Sequence, residues 1–299
     1  MPRLSPTAAF GAFSLLLTVV IGAAPSPPET RNTTGPGFTS YCIGQRCPGS
    51  RHQRETTPGI VLMGGSDSVD EAFAWQIARA NHGNFVIFSA SIPDEYNSYI
   101  WELSGGQLES VTTIMITERI GGTESFVVEA AESADAVFIA GGDQTLYVER
   151  ITGTPLGDTL RARQSAITFS GTSAGCDFLS DSVFAPPTDA PSVTSPYALA
   201  DPFAYGVAFG ASPFRFPEFG RRGAGSAPAF LDDTHFFQRD RMGRLLVFGA
   251  RLLQVRACAG RGGKAYDRTS SFPTPRRTAR CLQRRARASW PRTKRRRCS

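Results

Sequence analysis

The chain of 299 residues is 41% hydrophobic, which is enough for one sizeable α/β domain or for one domain with tails. Its charge is unevenly spread: Arg251 to Ser299 holds 16 Lys and Arg residues against Asp267 alone, a net +15, so residues 1–250 carry −9 of the total of +6. An acidic body argues against a protein that binds nucleic acid through that body, because such binding needs a basic surface.

The N-terminus has the pattern of a secretory signal peptide, which we assign to residues 1–24. Arg3 supplies the positive start, an apolar run follows from Ala8 to Ala24, and the small residues at its end suit signal peptidase. The run is short for a spanning helix and is followed at once by Pro25, although an uncleaved anchor is the alternative. We therefore expect a secreted, extracellular protein with no membrane contact after cleavage.

Residues 25–57 are rich in Pro, Gly, Ser and Thr and are predicted to be a disordered linker. Cys42 and Cys47 are five residues apart, so that a local disulfide would form in an oxidising compartment; the alternative is two unpaired thiols in a disordered leader. Asn32-Thr33-Thr34 fits a glycosylation acceptor, a short motif that often matches by chance.

From Pro58 onwards, short apolar runs typical of strands alternate with segments of helical spacing. The strand candidates are Gly59–Met63, Asn84–Ala90, Val111–Ile116, Ala136–Ile139 and Ala166–Ser170, and the helical candidates are Val69–Ala80, Glu124–Glu132 and Ala174–Leu179. This alternation predicts an α/β fold with a mostly parallel sheet flanked by helices, over a domain assigned to residues 58–253. Ligands bind such sheets at the carboxyl ends of the strands, where three of the predicted strands end in glycine-rich turns.

The segment Gly171-Thr172-Ser173-Ala174-Gly175 joins a strand candidate to a helix candidate. A serine on a sharp turn of this kind stands above the edge of the sheet, and the helix start places backbone N–H groups, beginning with Ala174, where an oxyanion would form. The pattern predicts that Ser173 is a nucleophile on a nucleophile elbow. An ordinary Gly/Ser turn is the alternative.

A serine nucleophile needs a base, and the chain has three histidines. His52 lies in the predicted linker and His82 in a polar turn. His235 lies at the end of a strand candidate after the serine, beside Asp232-Asp233, and is therefore the predicted base. A purely structural histidine is the alternative.

Two diglycine turns and three arginines complete the set of candidate site residues. Gly64-Gly65 and Gly141-Gly142 each follow a strand candidate, where the backbone could approach a bound carbonyl; simple left-handed turns are the alternative, and neither fits a phosphate-binding motif. Arg239, Arg241 and Arg244 follow His235. Guanidinium groups suit a substrate carboxylate, although an ion-pair cluster within the acidic body is equally open.

Four motifs in this order resemble the cyanophycinase and aspartyl dipeptidase family of serine peptidases. They are Gly64-Gly65, Ala140-Gly141-Gly142-Asp143-Gln144, Gly171-Thr172-Ser173-Ala174-Gly175 and Asp233-Thr234-His235-Phe236 with the arginines that follow, and the resemblance covers residues 58–250. It implies a fold similar to the class I glutamine amidotransferases, a flavodoxin-like arrangement, with serine in place of their cysteine. It also implies a peptidase that needs no metal or other cofactor and that favours bonds next to aspartyl residues.

The same resemblance assigns roles to individual residues. It implies that Ser173 is the nucleophile, that His235 is the base, and that the backbones of Gly142 and Ala174 donate to the oxyanion. The implied substrate-binding residues are Gly65, Asp143, Gln144, Asp233, Arg239, Arg241 and Arg244.

The chain departs from the family beyond the histidine, where the family places an acidic residue on a further strand or turn. Residues 254–299 are instead rich in Arg, Pro and Ser, with Asp267 as their one acid. Asp240 and the pair Asp232-Asp233 lack the family's placement. We interpret residues 254–299 as a basic low-complexity tail, either a disordered extension that binds anionic surfaces or, as we favour, an aberrant C-terminus that leaves the domain incomplete.

The sequence thus predicts a secreted serine peptidase that acts through an acyl-enzyme on peptides with acidic residues, with a homodimer as one arrangement open to it. A catalytically inactive protein that keeps the pocket for an acidic peptide is the alternative from a different class. An α/β-hydrolase esterase is less favoured, because that fold needs an acid and then a histidine after the serine and an oxyanion segment of the His-Gly-Gly kind.

Overall fold

The computed structural model describes residues 28–47, 49, 54–216 and 230–259, with the side chains of 254–259 excepted. The predicted signal peptide (1–24) and the part of the predicted tail beyond 259 lie outside these residues. Within these ranges, no helix combines the length and the apolar character that crossing a bilayer would require.

A seven-stranded sheet forms the centre of the molecule. Its strands are β1 (Glu29–Gly35), β2 (Phe38–Gly44), β3 (Gly59–Met63), β4 (Asn84–Ser89), β5 (Ser110–Ile116), β6 (Ala136–Ile139) and β7 (Thr168–Thr172), in the order β1-β2-β5-β4-β6-β7-β3. The five strands from β3 to β7 run parallel to one another, and β1 and β2 are added antiparallel at the β5 edge. A separate antiparallel pair consists of β8 (Ser182–Phe184) and β9 (Phe209–Ala211).

Helices connect the strands and cover both faces of the sheet. They are α1 (Asp70–Arg79), α2 (Asn97–Leu103), α3 (Ser125–Ser133), α4 (Gln144–Ile151), α5 (Pro155–Arg163), α6 (Ala174–Leu179), α7 (Ser195–Ala200) and α8 (Met242–Ala259), with a 3₁₀ turn at Arg119–Thr123. The strand β4 shows the layering, because Val86 and Phe88 pack with α3 to α6 while Phe85 and Ile87 pack with α1 and α2. The predicted α/β fold, a mostly parallel sheet flanked by helices and consistent with the flavodoxin-like class, is confirmed.

The topology brings the candidate motifs to one edge of the sheet. The parallel strands β3, β6 and β7 end at Met63, Ile139 and Thr172, so the two diglycine turns and the Ser173 turn lie side by side beyond those ends. The chain order reverses between β4 and β6, and open α/β sheets generally bind ligands at the carboxyl ends of the strands beside such a point.

The prediction of a disordered linker over residues 25–57 is wrong for residues 29–44, which form the hairpin of β1 and β2. In β2 every second residue is buried, with Phe38 and Cys42 facing the core, because the strand pairs with β5 along its whole length. A two-residue turn, Pro36-Gly37, joins the strands, and Gly37 has the positive φ of +68° that such a turn needs. The ordered domain therefore begins before Pro58.

Two further details concern the ends of the predicted segments. Cys42 and Cys47 form a disulfide, which confirms the pairing favoured by their spacing. The helix α8 continues through the predicted boundary at 253 to Ala259, because residues 252–259 contain mainly good helix formers such as Leu252 and Ala257. The tail therefore begins later than predicted.

Candidate active site

Ser173 occupies a strained turn between β7 and α6. Its φ of 50° and ψ of −124° lie outside the regions that non-glycine residues commonly adopt. Two backbone hydrogen bonds hold the turn, from Ser173 N–H to the Met63 carbonyl at 3.2 Å and from Asp177 N–H to the Ser173 carbonyl at 3.0 Å. The hydroxyl of Ser173 is half-buried at the carboxyl edge of the sheet.

The glycines on either side of Ser173 are required by packing. A Cβ on Gly171 would lie 2.6 Å from the carbonyl of Gly175, and a Cβ on Gly175 would lie 2.0 Å from the carbonyl oxygen of Ile139. Both distances are shorter than any van der Waals contact, and both involve backbone atoms that have little freedom to move. The spacing Gly-x-Ser-x-Gly therefore allows α6 to start directly against β6 and β7.

His235 lies opposite Ser173 and makes a close contact with it. The Oγ of Ser173 lies 2.8 Å from Nε2 of His235, a hydrogen-bond distance in the tautomer that accepts at Nε2. The backbone N–H of His235 donates to the carbonyl of Gly64 at 2.6 Å, which ties the histidine to the end of β3. The structure thus brings the predicted nucleophile and base together from positions 62 residues apart.

Gly65 makes room for the imidazole ring. It has a φ of +89°, and a Cβ at this position would lie 2.5 Å from Nε2 of His235. Gly65 therefore bounds the space that the imidazole ring occupies. This steric role is more specific than the substrate contact that the resemblance implies.

The surroundings of His235 favour its neutral form. Partial burial lowers the pKa of His235, and the charges of Arg239 and Arg241 lower it further. Among the described residues, no carboxylate forms a hydrogen bond with the imidazole ring.

The turn after β6 lies beside Ser173. A Cβ on Gly141 would lie 3.6 Å from Cβ of Ser173, and the next residue, Gly142, is exposed with a φ of +132°. Ala174 is buried directly after Ser173, at the start of α6. The turn that contains Gly142 and the start of α6 at Ala174, whose backbones are predicted to donate to an oxyanion, therefore both adjoin Ser173.

Asp143 and Gln144 are both engaged with the protein itself. The carboxylate of Asp143 caps α4 by accepting from the N–H of Thr145 at 2.8 Å, and the side-chain amide of Gln144 donates to the carbonyl of Phe184 at 2.9 Å. Asp143 is exposed and Gln144 is half-buried, and their side chains fix the start of α4 and its contact with β8.

Asp233, Arg241 and Arg244 form an ion-pair cluster, which was the alternative to substrate binding. Asp233 is 6% exposed and accepts from Arg241 Nη1 at 3.2 Å and from Arg244 Nε at 2.9 Å. Arg244 is also 6% exposed, donates to the carbonyl of Val193 at 2.8 Å and lies over the ring of Phe184. The predicted substrate contact of Arg244 and Asp233 is thus corrected, because their charged groups are buried against each other.

Arg239 differs from the other two arginines. It is exposed, and its guanidinium forms no hydrogen bond or ion pair with any residue that the structure describes. Its charge nevertheless lowers the pKa of His235, so it lies near the imidazole. Of the three predicted arginines, Arg239 is the one that is exposed, whereas Arg241 is half-buried and its Nε has no described partner.

Asp177 is a site residue that the sequence reasoning missed. It is 4% exposed and accepts from both the backbone N–H and the hydroxyl of Thr234, at 3.1 and 3.2 Å. Burial raises the pKa of Asp177 to about 7, and the nearby carboxylates of Asp232 and Asp233 add to this effect. Its one local signal is its position four residues after Ser173, on the same face of α6.

The fold and the site together define an α/β protein with a serine–histidine pair at the carboxyl edge of a mostly parallel sheet. No family model matches the chain. Its curated sequence relatives include a cyanophycinase of Geminocystis herdmanii, 29% identical over 157 residues that make up 52% of this chain and 49% of the relative. A cyanophycinase of a Nostoc species is 26% identical over 238 residues, 75% of this chain and 70% of the relative.

A cyanophycinase of Trichormus variabilis matches with the same identity and coverage as the Nostoc protein. The chain is thus related to the cyanophycinase-like peptidases, as the motifs predict, and it spans about half the length of the first of these relatives. Among solved structures, a peptidase from an acI-B1 Actinobacterium aligns with a TM-score of 0.36 at 20% identity, over 44% of this chain and 60% of that one.

Proposed function

We propose that the protein is a serine-type peptidase that forms an acyl-enzyme on Ser173. The observation that carries this proposal is the 2.8 Å contact between Oγ of Ser173 and Nε2 of His235 on a strained strand-to-helix turn. That turn has the backbone conformation expected of a nucleophile elbow. The relationship to peptidases supports a hydrolase, and the site supplies the residues for this class of hydrolysis.

In the proposed reaction, the neutral imidazole of His235 takes the hydroxyl proton of Ser173 as Oγ attacks the scissile carbonyl. The negative charge that develops on the carbonyl oxygen would be stabilised by the backbone N–H groups of Gly142 and Ala174. His235 then returns the proton to the leaving amine, and water hydrolyses the ester by the reverse of these steps. The lowered pKa of His235 favours its role as a base near neutral pH.

The substrate we propose is a peptide with an acidic residue, such as aspartate, next to the scissile bond. Residues 1–250 carry a net −9, which would repel such a peptide from most of the surface. Arg239 is the exception at the site, because its exposed guanidinium has donors to spare beside His235. A homodimer stays a prediction.

A second function, that of an inactive protein that binds acidic peptides, is favoured by a different observation. No described carboxylate orients His235, and a histidine without one can lose about 10⁴-fold in rate. Reaction of the full chain with a fluorophosphonate, followed by peptide mapping, and digestion of a library of Asp-X and isoaspartyl peptides separate the two functions. The peptidase is expected to be labelled at Ser173 and to cleave library members, whereas binding of an acidic peptide with neither result would support the inactive protein.

The pH dependence of hydrolysis tests the role of His235 as a base. The rate needs the neutral imidazole, so kcat/KM is expected to fall in acid with a midpoint below the ordinary histidine pKa of about 6.5. Arg239→Gln removes a cation that disfavours the imidazolium and is expected to raise this midpoint. A loss of substrate binding would lower the plateau value of kcat/KM without moving the pH midpoint, so the two effects can be measured separately. Arg161→Gln, on the exposed face of α5, should leave the midpoint unchanged, and an unchanged or lower midpoint in Arg239→Gln would contradict the assignment.

We also propose that the protein is secreted, which the pattern of residues 1–24, the disulfide and the position of Asn32 support. Asn32 is exposed on β1, which lies at one edge of the sheet, and its side chain is therefore accessible to a glycan. Full-length protein expressed in yeast is expected in the medium, processed after about residue 24, with a mass that endoglycosidase reduces. Asn32→Gln and Thr34→Ala should each abolish the reduction, and intracellular protein that keeps Met1 would argue against secretion.

A further inference from the structure

The segment from Asp232 to His235 lies antiparallel along α6 and contacts it at successive positions. Ser180 Oγ accepts from Asp232 N–H at 2.8 Å, Cys176 Sγ donates to the Asp232 carboxylate at 2.6 Å, Asp177 accepts from Thr234 at 3.1 and 3.2 Å, and Ser173 Oγ lies 2.8 Å from His235 Nε2. The helix α6, which follows the proposed nucleophile Ser173, therefore contacts the segment from Asp232 to His235 along its length. That segment ends at the proposed base, His235.

Asp177 makes the contact nearest to His235 on this helix apart from Ser173 itself. Its two carboxyl oxygens accept from the N–H and the hydroxyl of Thr234, the residue directly before the histidine. Asp177 is 4% exposed, so water does not compete for these bonds. Since Ser173 and Asp177 are four residues apart on α6, they face the segment from the same side.

The position of His235 needs such support from the backbone. In a complete triad a carboxylate on Nδ1 orients the ring, and no described residue supplies one here. The histidine also has a φ of 50°, which is unfavourable for a non-glycine residue and persists only where neighbours hold it. Four described contacts hold this backbone: Gly64 accepts from His235 N–H, the N–H of Arg239 donates to the His235 carbonyl, Arg241 Nη1 donates to the Thr234 carbonyl, and Asp177 accepts from Thr234. Asp177 is the one of these that lies on α6, the helix that follows Ser173.

We propose that Asp177 is a positioning residue, which keeps His235 within hydrogen-bond reach of Ser173 by fixing the backbone of Thr234. This proposal rests on the peptidase function proposed above. The contact of Asp177 with the histidine is indirect, because both of its oxygens bind Thr234. An asparagine should therefore replace it, with Oδ1 accepting from the Thr234 N–H and the side-chain amide donating to the hydroxyl.

Steady-state kinetics of the full chain test the positioning role. Asp177→Ala is expected to lower kcat for an Asp-X peptide by roughly tenfold or more with KM within about threefold, because the base is misplaced while the substrate contacts remain. Asp177→Asn should restore kcat to near the wild-type value. Asp158→Asn, on the exposed face of α5, controls for the loss of an acidic residue. A wild-type kcat in Asp177→Ala, or equal losses in the alanine and asparagine variants, would overturn the proposal.

Amide hydrogen exchange gives a readout that does not need turnover. In the wild-type protein the Thr234 amide is expected to exchange as slowly as the amides of α6, because it opens only when the segment leaves the helix. Because this measurement uses the wild-type protein, it tests the proposal even where Asp177→Ala fails to fold. Fast exchange at Thr234 in the folded wild type would overturn the proposal. A wild type that shows slow exchange and no hydrolysis would reject the peptidase function and leave the positioning of His235 standing.

Discussion

Replacing Ser173 by alanine is expected to lower kcat/KM for an Asp-X or isoaspartyl peptide by at least about 10³-fold. The loss follows from the removal of Oγ, which in the proposed mechanism donates its proton to His235 Nε2 and attacks the substrate. The loss would be larger in a complete triad, and none of the residues that the structure describes supplies a carboxylate to the imidazole. The measurement is steady-state hydrolysis of purified full-length protein, with product identified by mass spectrometry.

The control for this variant is Ser66→Ala, which deletes a hydroxyl from a neighbouring turn of the same edge. Ser66 Oγ accepts from the side-chain amide of Gln238 and has no contact with the imidazole. It is expected to hydrolyse the peptide at close to the wild-type rate, and both variants should keep the wild-type circular dichroism spectrum. Unchanged turnover in Ser173→Ala would reject Ser173 as the nucleophile.

The parallel part of the fold could be predicted because its signals are local. In β4 the run from Asn84 to Ser89 is buried on both faces, as a central parallel strand requires, and the flanking segments have helical spacing. The turn that carries Ser173 is equally local, since a serine between two glycines at the junction of a strand and a helix is readable within five residues.

The hairpin of β1 and β2 could not be predicted from composition. The residues from Glu29 to Gly44 contain Thr, Gly and Pro in proportions typical of a linker, and they become strands because β2 pairs with β5. That pairing joins residues about 70 positions apart, as Cys42 opposite Thr112 shows. Tertiary pairing of this kind overrides local propensity.

The polar contacts of the site also depend on tertiary structure more than on local sequence signals. The sequence placed Arg244 and Asp233 near the histidine but left open whether they bind substrate or each other, because both outcomes use the same residue types. Only the burial of Arg244 between Asp233 and Phe184 decides the question. Asp177 gave still less signal, since its partner Thr234 lies 57 residues away.

The second large effect is expected from Gly65→Ala, which adds one methyl group next to the catalytic histidine. A Cβ at Gly65 would lie 2.5 Å from Nε2 and 2.6 Å from Cε1 of His235, so the ring must move by several tenths of an ångström or more. The ring already makes a 2.8 Å contact with Ser173, and this contact is the one that such a movement breaks. We expect kcat/KM to fall on the order of 10²-fold, the usual consequence of misplacing a catalytic group by about 1 Å.

The adjacent glycine provides the matched control, because a Cβ on Gly64 would meet nothing within 4 Å. Gly64→Ala keeps the carbonyl that accepts from His235 N–H and is expected to retain most of the activity. Gly65→Ala also carries a backbone cost of about 1–3 kcal/mol from its positive φ, so thermal unfolding must be measured beside the kinetics. Activity lost well below the unfolding temperature, in Gly65→Ala alone, would locate the effect at the imidazole. Equal activities in the two variants would mean that the ring has room to spare, and the close approach of His235 to Gly65 would then not limit the reaction.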